Sequence, residues 1–254
     1  MQFAICIVAA AAVRSEPSHR SEMVNQLLFG ETMEILEQKE EWFKIRSIHD
    51  NYEGWLTYHL VLEVEKSVAV MANEYVAIDM NKIITKGTQF IIPAGSSLTG
   101  LNPQTKKLWN KDYEVQGPYR KRNDKADIDL LENILQLWYH APYLWGGRTF
   151  MGMDCSGFVQ VVFKILGVQL QRDAYQQATE GISVASLSEA TKGDVAFFQN
   201  EKGRVIHVGI VLNENRIVHA SGKVRTDKLY EAGIYNEERN EYSHKLHSIR
   251  RILS

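Results

Sequence analysis

The stretch "MGMDCSGFVQVVFKILG", Met151 to Gly167, carries Cys155, one of two cysteines in the chain. Phe158, Val161, Val162, Ile165 and Leu166 recur behind it at helical spacing and Gly167 supplies a stop, so the segment reads as a buried helix capped by Asp154. Cys155 then stands in the first turn, where unpaired N–H groups and the helix dipole favour negative charge. That setting lowers the pKa of a thiol and makes it nucleophilic. The same N–H groups can hold the oxyanion that forms when a carbonyl is attacked. A cysteine kept only for packing has no need of the helix mouth.

A nucleophile of this kind needs a base and a group that orients the base. His207 in "VIHVGIV" and His219 in "RIVHASG" stand on two strand candidates separated by Glu214-Asn215, a hairpin turn. Residues equidistant from the turn face one another, which brings the two imidazoles together on one side. The relay that follows has Cys155 attacking, His207 taking and returning the proton, and His219 fixing the tautomer of His207. One sulfur and two imidazoles with an open fourth position could also ligate zinc. Neither paired cysteines nor a His-x-x-x-His spacing accompanies them, so we expect no metal and no cofactor.

These groups need elements to hold them. "DIDLLENILQLWYH" puts Ile128, Leu131, Ile134, Leu135 and Trp138 on one helical face, and "GDVAFFQ" is a further strand beside the two that carry the histidines. Upstream of residue 128 the texture is β-rich, with short runs such as "TMEILEQ", "EWFKIRSI", "EGWLTYHLVLEV" and "TQFIIPAGSSLTG" between turns. Strands this short suggest small barrels. We expect one at 1–64, a second at 65–117, a charged linker at 118–127 and a helix-then-strands domain at 128–254, an α+β arrangement overall.

Composition limits the function. With 254 residues, 44% hydrophobic and 24% charged, the chain can bury a sizeable core; 29 basic against 31 acidic side chains give no footprint for nucleic acid. The apolar start "MQFAICIVAAAAV" lacks the positive flank of a signal peptide and reads as strand, and no run approaches the length that spans a membrane. Two cysteines make no disulfide framework, and we expect free thiols in a reducing compartment.

The ordered set "DCSGF" at 154–158, "GDVAFF" at 193–198, "HVGIV" at 207–211 and "VHAS" at 218–221 resembles the NlpC-type cell-wall peptidases, a papain-like family. The upstream pattern with Trp42-Phe43 and Gly54-Trp55 resembles bacterial SH3-like domains, and the combination resembles the γ-D-glutamyl-L-diamino acid endopeptidases that trim murein peptides. The resemblance implies two SH3-like barrels before a papain-like α+β peptidase, with Cys155, His207 and His219 as its triad. It implies that Tyr143 lines the site beside the nucleophile, that Ser156 holds the free carboxylate of D-glutamate, and that Asp173 pairs with the free amine of L-alanine. Glu22 and Tyr58 are the first barrel's candidates for closing that subsite. Ala174 follows the acid where some relatives have serine, which removes one substrate hydrogen bond. The expected partners are free murein stem peptides of the type L-Ala-γ-D-Glu-diamino acid, not nucleic acid or membrane, and the expected setting is wall-peptide recycling in the cytoplasm. The competing readings are an amidase or acyltransferase on the same fold, and an inactive wall-binding module.

Overall fold

The computed structural model describes residues 2–71, 74–122, 124, 128–213 and 215–253. The chain forms two compact units, Met1–Lys125 with Trp145–Thr149, and Ala126–Leu144 with Phe150–Ser254.

In the first unit, β1 (Gln2–Cys6), β2 (Ala10–Arg14), β3 (Met23–Leu28), β4 (Thr32–Lys39), β5 (Trp42–Ser47), β6 (Glu53–Thr57) and β7 (Val61–Val64) make one antiparallel sheet in the order β3-β2-β6-β5-β4-β1-β7. The apolar run at the amino terminus is thus β1 and β2, whose Ala4, Cys6, Ala11 and Val13 enter a core with Leu27, Met33, Phe43, Ile45 and Leu56. Alternation along β2, and along β5 from Phe43 onward, with every second residue buried, is what a sheet with one dry face requires. A short helix, α1 (Lys66–Ala69), precedes β8 (Tyr75–Ala77), β9 (Asn81–Thr85), β10 (Thr88–Ile92), β11 (Glu114–Gln116) and β12 (Tyr119–Lys121). These form a sheet β10-β9-β11 and a pair β12-β8.

Three boundaries differ from the sequence pattern. Where composition marks a linker at 118–127, Tyr119–Lys121 is a strand paired with Tyr75–Ala77; its two basic residues of three are what make it read as loop. The boundary near residue 64 is crossed by packing: Phe29, in the turn after β3, is buried in a core with Ile83, Ile92, Leu98 and Val115. Finally, β13 (Arg148–Thr149) belongs to the first unit although it lies inside the stretch expected to be wholly peptidase. Arg148 is 1% exposed and grips Glu31 through two hydrogen bonds of 2.8 and 2.9 Å, while its backbone N–H donates to Gln26 Oε1. A guanidinium is buried only where a carboxylate meets it, and this one is supplied by the first unit. Gly146, at φ +75°, passes so close to the Met23 carbonyl that a Cβ would stand 2.5 Å from the oxygen.

The second unit opens with α2 (Ile128–Gln136), which buries Leu131, Ile134 and Leu135, followed by β14 (Gly152–Met153) and α3 (Cys155–Ile165). Every residue of α3 is buried, and Asp154 caps it by accepting from Gly157 N–H at 2.7 Å. Past α4 (Ala174–Gln177) come β15 (Ile182–Val184), β16 (Val195–Gln199), β17 (Val205–Asn213), β18 (Arg216–Ser221), β19 (Lys223–Tyr230), β20 (Gly233–Asn236) and β21 (Glu241–Arg251). Their order is β15-β21-β16-β17-β18-β19-β20, and β20 pairs again with β21, so six antiparallel strands close into a barrel. Closure leaves few edges to manage. Three of those strands, β19 to β21, go beyond the strand set read from sequence. Among the described residues no helix is long and apolar enough to cross a membrane.

Candidate active site

Cys155 is the first residue of α3, 5% exposed. Its cap is itself anchored: Arg172, 1% exposed, donates to both oxygens of Asp154 at 3.0 and 2.6 Å and to Ser156 Oγ at 2.9 Å. Gln177 of α4 donates to the Ser156 carbonyl at 3.1 Å. The segment 171–177 is thereby laced to the helix mouth, with Asp173 as the half-buried N-cap of α4 in a capping box with Gln176. Ser156 is buried within this cluster. Tyr143 sits close by: its N–H donates to the Gly222 carbonyl at 2.9 Å, and it bridges to Met153. Burial, and then the charges of Cys155 and Asp154, push its phenol above the usual range.

The histidines lie on neighbouring strands. His219 is directly opposite Gly209 on β17, so His207 is its diagonal neighbour on the same face. His207 Nε2 and His219 Nδ1 are 2.7 Å apart. Gly209 makes room for this, since a Cβ there would lie 2.9 Å from the His219 Cβ and 2.8 Å from the Val218 carbonyl. The turn residue Glu214 lies outside the described residues. The expected proximity of the imidazoles therefore holds, in a register one residue from the one the turn arithmetic suggests.

Sequence reasoning missed what stands behind them. His219 Nε2 lies 3.0 Å from Asp227 Oδ2, Arg225 Nη2 donates to Asp227 Oδ1 at 2.7 Å, and Arg225 Nη1 donates to Glu238 at 3.1 Å. His244 of β21 stacks on His207, ring centroids 4.1 Å apart. A sequence signal for the acid existed. The β18–β19 hairpin turns at Gly222, so His219 faces Arg225 and the next inward position is Asp227. His207, His219 and Asp227 share their strand faces with Val211, Ile217 and Leu229 of the apolar cluster, which explains their burial.

Electrostatics depart from the lowered thiol pKa expected at the helix mouth. Burial, then the Asp154 carboxylate, pushes the Cys155 thiol up to about 12, against the Val208 N–H, the Arg172 guanidinium and the Ser156 N–H, which pull the other way. Burial, then the neighbouring His219 and His244, drives the His207 imidazole well below its ordinary value. His244 is pushed down to about 4, chiefly by burial. Desolvation penalises both charges, so it favours a neutral thiol at Cys155 and a neutral imidazole at His207. Zinc does not suit this donor set, since both nitrogens of His219 are already engaged by His207 and Asp227. The polar cleft bordered by Lys223, Arg225, Arg239, Tyr242 and His244 has a volume of about 600 Å³.

Glu22 and Tyr58 are in the first unit. Glu22 accepts from Trp145 Nε1 at 2.5 Å, and Tyr58 opens a 3₁₀ turn, Tyr58–Leu60, with its ring against His59 and Phe43.

A cysteine at a helix mouth and a histidine pair on adjoining barrel strands can carry out acyl transfer through a thioester, the chemistry of thiol hydrolases. Comparison with known proteins agrees. Residues 140–241 match the NlpC/P60 family and residues 13–59 match the bacterial dipeptidyl-peptidase SH3 domain. The chain is 31% identical over 169 residues to the murein DD-endopeptidase/LD-carboxypeptidase of Escherichia coli K12, covering 63% of this chain and 84% of that one. It is 28% identical over 256 residues to the γ-D-glutamyl-L-lysine dipeptidyl-peptidase of Bacillus subtilis, covering 90% of this chain and 81% of the other. The crystal structure of an NlpC/P60 family protein from Bacillus cereus shares the fold, with a TM-score of 0.84 at 19% identity over 99% of this chain and 100% of that one. The chain belongs to the NlpC/P60 family and is a peptidase with an SH3-like β domain at its amino terminus.

Proposed function

We propose that this peptidase cleaves the bond between γ-D-glutamate and an L-diamino acid, lysine or diaminopimelate, in murein stem peptides with a free amino-terminal L-alanine, releasing L-Ala-γ-D-Glu. The observation that carries the chemistry is the 2.7 Å contact of His207 with His219 on the strand next to the mouth of α3, where Val208 N–H faces Cys155. Support for the bond comes from the dipeptidyl-peptidase named above and from an SH3-like domain of the kind that carries that name.

In this reading Cys155 attacks the γ-carbonyl as its proton passes to His207. The imidazolium then protonates the departing amine, and water, activated by the same histidine, hydrolyses the thioester. First-turn N–H groups of α3 stabilise the oxyanion. Tyr143 lines the site beside the sulfur, Ser156 binds the glutamate carboxylate and Asp173 receives the alanine ammonium. The cleft beside His244 suits the diamino acid, since Lys223, Arg225 and Arg239 alternate there with Glu238 and Glu241 to match a group bearing both charges. A requirement for a free amine points to peptides already released from the wall, hence to recycling in the cytoplasm.

Mass spectrometry of products from L-Ala-γ-D-Glu-diaminopimelate and its N-acetyl form, with wild type, Cys155→Ala and Asp173→Ala, tests the reading. Release of L-Ala-γ-D-Glu from the free amine alone supports it. Equal rates on both substrates remove the amine gate and the recycling role, and a different product bond removes the substrate assignment.

A further inference from the structure

We propose that Asp227 is a positioning residue that sets, through His219, which nitrogen of His207 is free to accept the Cys155 proton. The inference rests on the thiol-peptidase reading of the site but is independent of which peptide is cleaved.

The chain of hydrogen bonds crosses three strands, β17, β18 and β19. Asp227 is held ionised: burial pushes its carboxyl up, but the hydrogen bonds from His219 and Arg225 outweigh this and keep it below the ordinary carboxylate range. A carboxylate only accepts, so His219 Nε2, 3.0 Å away, must carry the hydrogen and donate it. A neutral His219 then has its lone pair on Nδ1. The nitrogen facing that lone pair at 2.7 Å is His207 Nε2, which must in turn be the N–H. A neutral His207 is left with a bare Nδ1, the basic form a thiol proton requires. Without an acceptor at 227, either tautomer of His219 is open, and one of them leaves His207 with its hydrogen on Nδ1 and no place for the proton. Arg225 makes the device directional, because its Nη2 occupies Oδ1 and leaves Oδ2 for the histidine. Both acid and guanidinium come from β19, one strand beyond His219, and Glu238 anchors the outer side of the guanidinium.

Asp227→Asn gives a sharp test. The carboxamide has one acceptor, and Arg225 claims it, so the NH₂ faces His219 Nε2 and reverses both tautomers. We expect kcat/KM to fall by about 10²-fold or more, a wrong-tautomer loss like that of an orienting aspartate in a serine triad. Adding Arg225→Ala to Asp227→Asn frees the carboxamide to turn its oxygen to His219, and should restore about tenfold or more of the lost rate. A merely structural acid predicts the opposite, further loss in the double variant. Long-range ¹H–¹⁵N NMR of the ligand-free wild-type chain reads the tautomers without substrate and without relying on a variant that folds; hydrogens on Nε2 of both His207 and His219 are expected. A His207 hydrogen on Nδ1 in the wild type overturns the proposal, as does an Asp227→Asn rate within about threefold of wild type. Absence of the γ-D-glutamyl product, by contrast, bears on the substrate reading alone.

Discussion

Alkylation of the ligand-free enzyme should be slow at neutral pH and accelerate with alkali, although Cys155 occupies a position that usually activates a thiol. Cys155 is 5% exposed and the Asp154 carboxylate, held by Arg172, adds a negative charge at the helix mouth. Together these move the thiol from 9.0 to about 12. At pH 7 the thiolate fraction is then about 10⁻⁵ instead of about 10⁻², a thousandfold reduction equal to roughly 4 kcal/mol. The reagent is iodoacetamide, with Cys155→Ala as the control that isolates the other buried thiol, Cys6. The rate constant for Cys155 should climb about tenfold per pH unit from 6 to 9 without a plateau, because the thiolate is the reacting species. The ultraviolet thiolate band should be missing from the difference spectrum of wild type and variant at pH 7. A rate that levels off below pH 7, or a thiolate band lost in Cys155→Ala, would show a resting ion pair and refute the argument that burial outweighs the helix mouth.

Cys155→Ala should lose turnover by several orders of magnitude while melting near the wild-type temperature, and His219→Ala should keep more activity than His207→Ala, since orientation is lost but the base remains. The acid limb of kcat/KM should lie well below pH 6.5, since His207 is driven down by burial and its histidine neighbours. Both buried thiols, Cys6 and Cys155, have folded values raised to about 12, so the stability they contribute is complete below pH 9 and is lost as pH climbs from there toward 12; thermal melts across that window should fall, and fall less steeply for Cys155→Ala. Arg148→Met should lower the stability of the first unit by about 3–5 kcal/mol by leaving Glu31 buried without its counter-ion, and Glu31→Gln paired with Arg148→Met should recover part of that in a double-mutant melt.

The parts of the site that are legible in the sequence are those fixed by local rules. An aspartate before an apolar 3.6-residue rhythm forecasts the cap and α3, and the hairpin between the two histidine strands forecasts their pairing. Asp227 escapes because "KVRTDKLY" puts Arg225 and Asp227 at inward positions where an apolar alternation is expected, so the strand does not look half-buried. His244 is hidden for a related reason, since β21 carries mostly polar residues and meets His207 only because the barrel closes. The charge of the resting site is not local either: it depends on how completely α3, the barrel strands and Arg172 exclude water. Nothing near Arg148 in sequence announces Glu31, 117 positions away.

The route of the backbone has a consequence for dissection and for descent. Residues 145–149 are built into the first unit, while Tyr143 before them and Cys155 after them are built into the second. The polypeptide changes unit three times, so no single cut yields the peptidase without a foreign loop. A fragment beginning near residue 126 would retain an arginine whose acid was discarded, together with a glycine shaped to fit a missing carbonyl. Recombination that exchanged the amino-terminal half for another module would leave the same scar. Keeping the arginine matched to its acid therefore means keeping the amino-terminal half together with the short loop between Tyr143 and Cys155.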